Sequence, residues 1–238
     1  MKKNIKKIVT AVAAAAMIMQ CAPVYALQVE EMLVLGGDDN KTKAETELKE
    51  ESSETEEKIV CSAWAEGEVK KALEIGIVPD EIKDDYTKKI TRGEFCKLAV
   101  NTYVKKTGNE IEKDIESPFS DVNDVYISNA SKLNIVSGIG DGLFAPDKEI
   151  TRQEAAVMLV NLANAAGIET GKAEESEKFA DEDNFAAWAN EKIYTIASTK
   201  TADGGFVMKG TGGGKFSPLD NYTREQAAAT MVRLYGND

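Results

Sequence analysis

Gly138 to Leu159 reads GIGDGLFAPDKEITRQEAAVML, and Gly210 to Met231 reads GTGGGKFSPLDNYTREQAAATM. The two lines align without a gap. Glycines stand at the first, third and fifth positions, Phe-x-Pro follows, and Thr-Arg comes five residues after the proline. Each ends in a Thr-x-x-Glu/Gln step, Thr151 with Glu154 and Thr223 with Gln226. That is the capping box, in which side chains at both ends of the step satisfy helix-start N–H groups reciprocally. Apolar residues follow at helical spacing: Ala155, Met158, Leu159 and Leu162, then Ala227, Met231 and Leu234. A third Thr-Arg pair, with Glu94 in the capping position, precedes Phe95, Leu98 and Ala99. Gly108 and Gly167 then read as helix stops.

Working outward, the chain from Ile59 onward repeats three times. Another helical segment stands upstream of each block, opened by Trp64, Tyr126 or Trp188, so each unit is helix, turn, helix. A period in this range marks arrays whose units bury their apolar faces on one another. Two departures stand out. The first unit has Pro79-Asp-Glu-Ile-Lys-Asp-Asp-Tyr86 in place of the glycine turn, and the third carries an insertion around Ser198 to Phe206.

The capping box explains the threonine and the acid, but not Arg92, Arg152 and Arg224. A cation at the first helical position opposes the helix dipole by roughly 0.3–1 kcal/mol. Three in register imply a role that outweighs this cost. One reading is an anion site, in which guanidinium and free N–H groups take a carboxylate or phosphate. The other is internal pairing with an acid of a neighbouring unit. Trp64, Tyr126 and Trp188 fit core packing or a sugar-binding face. Gly138, Gly140, Gly210 and Gly212 supply a tight turn, or room for a ligand to approach the backbone. Gly214-Lys215 is followed by Phe216, so the stretch is not a P-loop.

The ends and the composition narrow the class. Lys2, Lys3, Lys6 and Lys7, the apolar Ile8–Met19 and the small-residue site at Val24-Tyr25-Ala26 read as a secretory signal peptide over 1–26. A lipoprotein reading through Cys21 fits less well, because glutamine precedes it. Residues 27–58 form an acidic linker, with too few apolar side chains to fold alone. The formal net charge is −12 and histidine is absent. The acidity argues against nucleic acid and anionic membranes as partners. The lack of histidine excludes histidine-based catalytic triads and histidine metal sites. No cofactor or metal is called for, and no integral membrane contact is expected after leader removal. Cys61 and Cys96 are either one disulfide or two free thiols.

The units resemble S-layer homology motifs. The resemblance rests on the two glycine-loop stretches quoted above, on "FSDV" at Phe119 to Val122, and on Trp-Ala before the first helix. It implies an all-α fold in which three helix–loop–helix motifs, at 59–110, 117–170 and 177–238, form one pseudo-threefold bundle. It also implies non-covalent anchoring of an exported protein at the cell surface, through a secondary cell wall polysaccharide that often bears ketal-linked pyruvate. In the family the Thr-Arg element supplies a basic side chain to the ligand groove, a role that falls by position on Arg92, Arg152 and Arg224. The polysaccharide contacts expected with them are Trp64, Tyr126, Trp188 and the four glycines. The departures in the first and third units put one groove in doubt. An enzyme is not expected, since 27–58 is too short and polar for a catalytic domain. The alternatives are a small envelope scaffold that binds another protein, or the remnant anchor of a wall-active enzyme.

Overall fold

Each Thr-Arg stretch opens a long helix. The Thr91, Thr151 and Thr223 hydroxyls accept from the backbone N–H three residues on, and all three capping boxes are closed. In the computed structural model, which describes residues 59–237, the helices are α1 (Glu66–Ile75), α2 (Arg92–Thr107), α3 (Val125–Lys132), α4 (Arg152–Ala166), α5 (Asn190–Ser198) and α6 (Arg224–Tyr235). The leader at 1–26 and the linker at 27–58 lie outside the described residues. Gly108 and Gly167 end α2 and α4 in the left-handed conformation, at φ 72° and 68°. A side chain strains that conformation and glycine does not. Every apolar stripe residue named above is buried. Among the described residues the architecture is helical, with isolated β-bridges and short 3₁₀ turns and no longer strands.

The units interlock. The long helices α2, α4 and α6 pack on one another, while each short helix rides on the long helix of the preceding unit: α3 on α2, α5 on α4, and α1 on α6. The backbone closes the same cycle. Ile90 N donates to Tyr222 O (2.9 Å), Tyr222 N to Ile150 O (2.9 Å) and Ile150 N to Ile90 O (3.2 Å), so one residue from each unit meets in a triangle. All three side chains are buried.

Helix-start donors follow the cycle too. Arg92 N donates to Lys148 O, Arg152 N to Asp220 O and Arg224 N to Lys88 O, each at 2.9 Å. The next N–H of each helix reaches Pro146 O, Pro218 O or Tyr86 O of the following unit. With the threonine on the third, the free N–H groups invoked for an anion site are already used. Residue two of α4 and of α6 also reaches the segment leading into the short helix that rides on it. Gln153 Oε1 accepts from Ala186 N, and Glu225 accepts from Ser62 N and Ser62 Oγ. In the first unit that position is Gly93, and there Asp124 caps α3 itself, accepting from Tyr126 N and Ile127 N.

Of the two readings left open for Cys61 and Cys96, the structure has two free thiols. Cys96 lies in the core on α2, with Arg92 and Asp124 as its charged neighbours. Cys61 is partly exposed beside Glu225 and Glu66. The two thiols face different elements.

Candidate ligand groove

The glycine turns come first, because they shape the groove walls. In the second unit Gly140, Asp141, Gly142 and Ala145 all have positive φ; in the third, Gly212, Gly213, Gly214 and Ser217 do. Gly138 and Gly210 meet a different demand. A Cβ there would stand 2.7 Å from Leu143 O or 2.6 Å from Lys215 O, across the neck of the turn. These two glycines are required by close backbone approach. An acid from the preceding segment pins each turn. Asp121 accepts from Phe144 N and Ala145 N (2.8 Å each), and Asp181 from Phe216 N (2.9 Å) and Ser217 N (2.8 Å). The sequence reading missed this role, although the Phe-x-Asp pattern at 119–121 and 179–181 carried the signal.

The pinned turns present carbonyls to the arginines. Arg92 Nε donates to Phe144 O (2.9 Å) and Nη2 to Ser137 O (2.8 Å), with the guanidinium 4.6 Å from the Phe144 ring centroid. Arg152 repeats this one unit on. Nε reaches Phe216 O (2.9 Å), Nη2 reaches Lys209 O (2.8 Å), and the cation lies 4.9 Å from the Phe216 ring. Both side chains are buried, and neither forms an ion pair among the described residues. The internal partners are therefore backbone carbonyls and aromatic faces, which offset desolvation of the cation only in part. Burial lowers the pKa of Arg152, with Tyr222, Asp220 and Asp181 opposing from longer range. In both arginines Nη1 makes no hydrogen bond to the described residues.

Arg224 differs, and the first unit's altered turn is the reason. Asp84 and Asp85 replace the carbonyl-presenting glycine loop. Arg224 Nη1 donates to Asp84 Oδ1 (2.6 Å) and Asp85 O (3.2 Å), while Nε and Nη2 grip both oxygens of Glu94 (3.3 and 2.6 Å). Burial works against its charge, but Glu94 and Asp84 outweigh it and raise the pKa. Internal pairing with acids therefore describes this arginine alone.

Arg152 lines a groove of about 230 Å³ in which all three units meet. The first unit contributes Trp64, the second Arg152, and the third Gly210, Tyr222 and Gln226. Trp64 and Trp188 are 54% and 59% exposed, so of the two readings given for these rings core packing does not describe them. Tyr126 is half-buried. Three of the expected contacts, Trp64, Arg152 and Gly210, are thus brought together, and Gly138, Gly140 and Gly212 lie on exposed turns outside this groove. Sequence reasoning missed Lys209 and Arg233, which line the same groove. They lie outside the recurring text, so alignment of the units gave no signal for them.

Residues 118–156, from just before the Asp121 clamp through the second unit's glycine turn to the start of α4, match the S-layer homology domain family. The chain is 29% identical over 152 residues to an endoglucanase of Bacillus sp. (strain KSM-635), covering 62% of this chain and 15% of that protein. It is 30% identical over 111 residues to an amylopullulanase of Thermoanaerobacterium thermosulfurigenes, covering 44% and 6%. It is 26% identical over 183 residues to the surface-layer 125 kDa protein of Lysinibacillus sphaericus, covering 74% and 14%. The chain thus spans 15% or less of the length of each of these relatives.

Proposed function

We propose that this chain, an S-layer homology domain protein, anchors non-covalently to the bacterial cell wall through the Arg152 groove. The ligand is an anionic secondary cell wall polysaccharide, with a carboxylate such as ketal-linked pyruvate on Arg152 Nη1. Support comes from one observation above all. Arg152 is a buried cation that, among the described residues, has no acid in contact and one nitrogen unpaired, at a groove that also exposes the Trp64 ring. A carboxylate completes the charge balance that the chain leaves open, and the indole face suits sugar C–H groups. Arg224, already held by Glu94 and Asp84, takes no part in the binding. The relatives named as enzymes match over only 15% and 6% of their own length, so their activities do not transfer to this chain. The role proposed is attachment without catalysis, at the cell surface of an exported protein.

Co-sedimentation with purified sacculi tests this reading. The parent should pellet with intact sacculi and stay in solution once the secondary polysaccharide is chemically removed. Trp64→Ala, a change at an exposed ring, should weaken pelleting by about tenfold, the loss of one good contact, with the melting temperature unchanged. Undiminished binding to stripped sacculi would overturn the polysaccharide reading and favour a protein partner.

A further inference from the structure

Beside the Arg152 groove lies a second cavity of about 320 Å³, and the two share Lys209 and Arg233 in their walls. The third unit's insertion makes its outer wall. Lys200 and Phe206 pair as an antiparallel bridge, Thr201 N donates to Gly205 O (3.0 Å) and Gly204 N to Thr201 O (2.8 Å). Asp203 Oδ1 accepts from Thr201 Oγ1 and Gly205 N inside the turn. The base is anchored by buried Val207 and Met208, and by Val207 N donating to Thr199 O (2.9 Å). The insertion is therefore an ordered hairpin that holds Phe206, 39% exposed, against the cavity.

Charge in this wall departs from the rest of the chain. Glu68 is neutralised by Arg233 at 2.7 Å. Lys71 and Lys209 line the cavity exposed, and neither forms an ion pair among the described residues. Asp203, held within the hairpin by Thr201 and Gly205, is the other acid in the lining and interacts electrostatically with Lys209, so Lys71 carries the unbalanced charge. A net positive cavity with an aromatic face, in a chain of formal charge −12, is suited to an anionic and partly apolar ligand. The wall it shares with the first groove, Lys209 and Arg233, makes that ligand an extension of the first.

We infer that the two cavities form one binding path for at least two consecutive residues of an acidic glycan. The residue next to the one on Arg152 lies on Phe206, with its acidic substituent facing Lys71 and Lys209. This rests on the groove reading above, and the insertion hairpin is what extends it.

The probes are acid-released fragments of the wall polysaccharide, sized into single-residue and longer pools, with affinity measured by calorimetry. Phe206→Ala and Lys71→Ala alter exposed side chains that line the second cavity and not the first, and circular dichroism confirms their fold. Each should bind the longer pool about tenfold more weakly, one charged or aromatic contact's worth, and the single-residue pool as the parent does. Arg152→Lys should weaken both pools. If Arg152→Lys weakens both while either cavity variant binds the longer pool like the parent, the extended path is wrong and the groove reading stands. If Arg152→Lys alters neither pool, or the parent binds neither, the groove reading itself fails and takes the extension with it.

Discussion

Three arginines in register do two different things, and the difference is set by what faces them. Arg224 meets two carboxylates, Glu94 and Asp84, and the Asp85 carbonyl. Replacing it with alanine should cost about 1.5–3 kcal/mol, the range for hydrogen bonds to charged groups, and leave wall binding intact. Urea unfolding and co-sedimentation check the two halves. The carboxylates around it also set an acid limit. Asp84 is held down at about 2, chiefly by Lys88 with Arg224 adding to the effect, and the Phe144 and Ala145 N–H groups depress Asp121. A depressed carboxylate stabilises the fold above its unfolded value and loses that contribution as pH falls through the folded one. The urea midpoint should therefore be level down to about pH 5 and fall between about pH 4 and pH 2, the interval between an ordinary aspartate and Asp84. Recurrence alone made all three arginines notable and could not separate them. The separation depends on whether Phe144 O, Phe216 O or Asp84 stands opposite, a fact about the next unit's turn.

At the scale of the element, the sequence carried more. Capping boxes, αL glycine stops and apolar stripes are local devices, and each was readable at its own residues, from Thr91 to Gly167. The turns were legible as turns but not as supports, because Asp121 and Asp181 act across about two dozen residues or more. Gly138 gives a sharp test. Gly138→Ala puts a methyl 2.7 Å from Leu143 O and 2.9 Å from the Phe119 ring, a clash that should cost about 1–3 kcal/mol, typical of overpacking. It should also disturb Ser137 O, on which Arg92 rests, in chemical-shift maps. The cysteines were undecided for a related reason. Burial pushes the Cys96 thiol up, and packing in the core hides it. Peptide mapping after iodoacetamide should find Cys61 modified in the native protein and Cys96 only after unfolding.

At the scale of the molecule, the order of packing is what sequence reading could not reach. The repeat gave three helix–turn–helix units in one bundle, but not that each short helix packs on the neighbouring unit's long helix. No local pattern encodes that exchange, since α1 has the same amphipathic stripe whichever helix it covers. The consequence is closure. α1, from the first unit, docks on α6, from the third, and the backbone triangle needs Ile90, Ile150 and Tyr222 together. Deleting the third unit after Gly171 removes the seat of α1 and leaves Val69 and Ala72, both fully buried, facing water. It also strips α4 of the partners of Arg152 N and Gln153 N, Asp220 O and Pro218 O, and of the Arg152 side-chain acceptors, Phe216 O and Lys209 O. Two of three interfaces go at once, so the loss is not one third of the stability but most of the core. The truncated chain should lack a cooperative thermal transition by circular dichroism, while the full chain melts in a single step. A sharp melt in the two-unit fragment would mean that one unit pair suffices, and the interlocked ring would then be a consequence of folding rather than its condition.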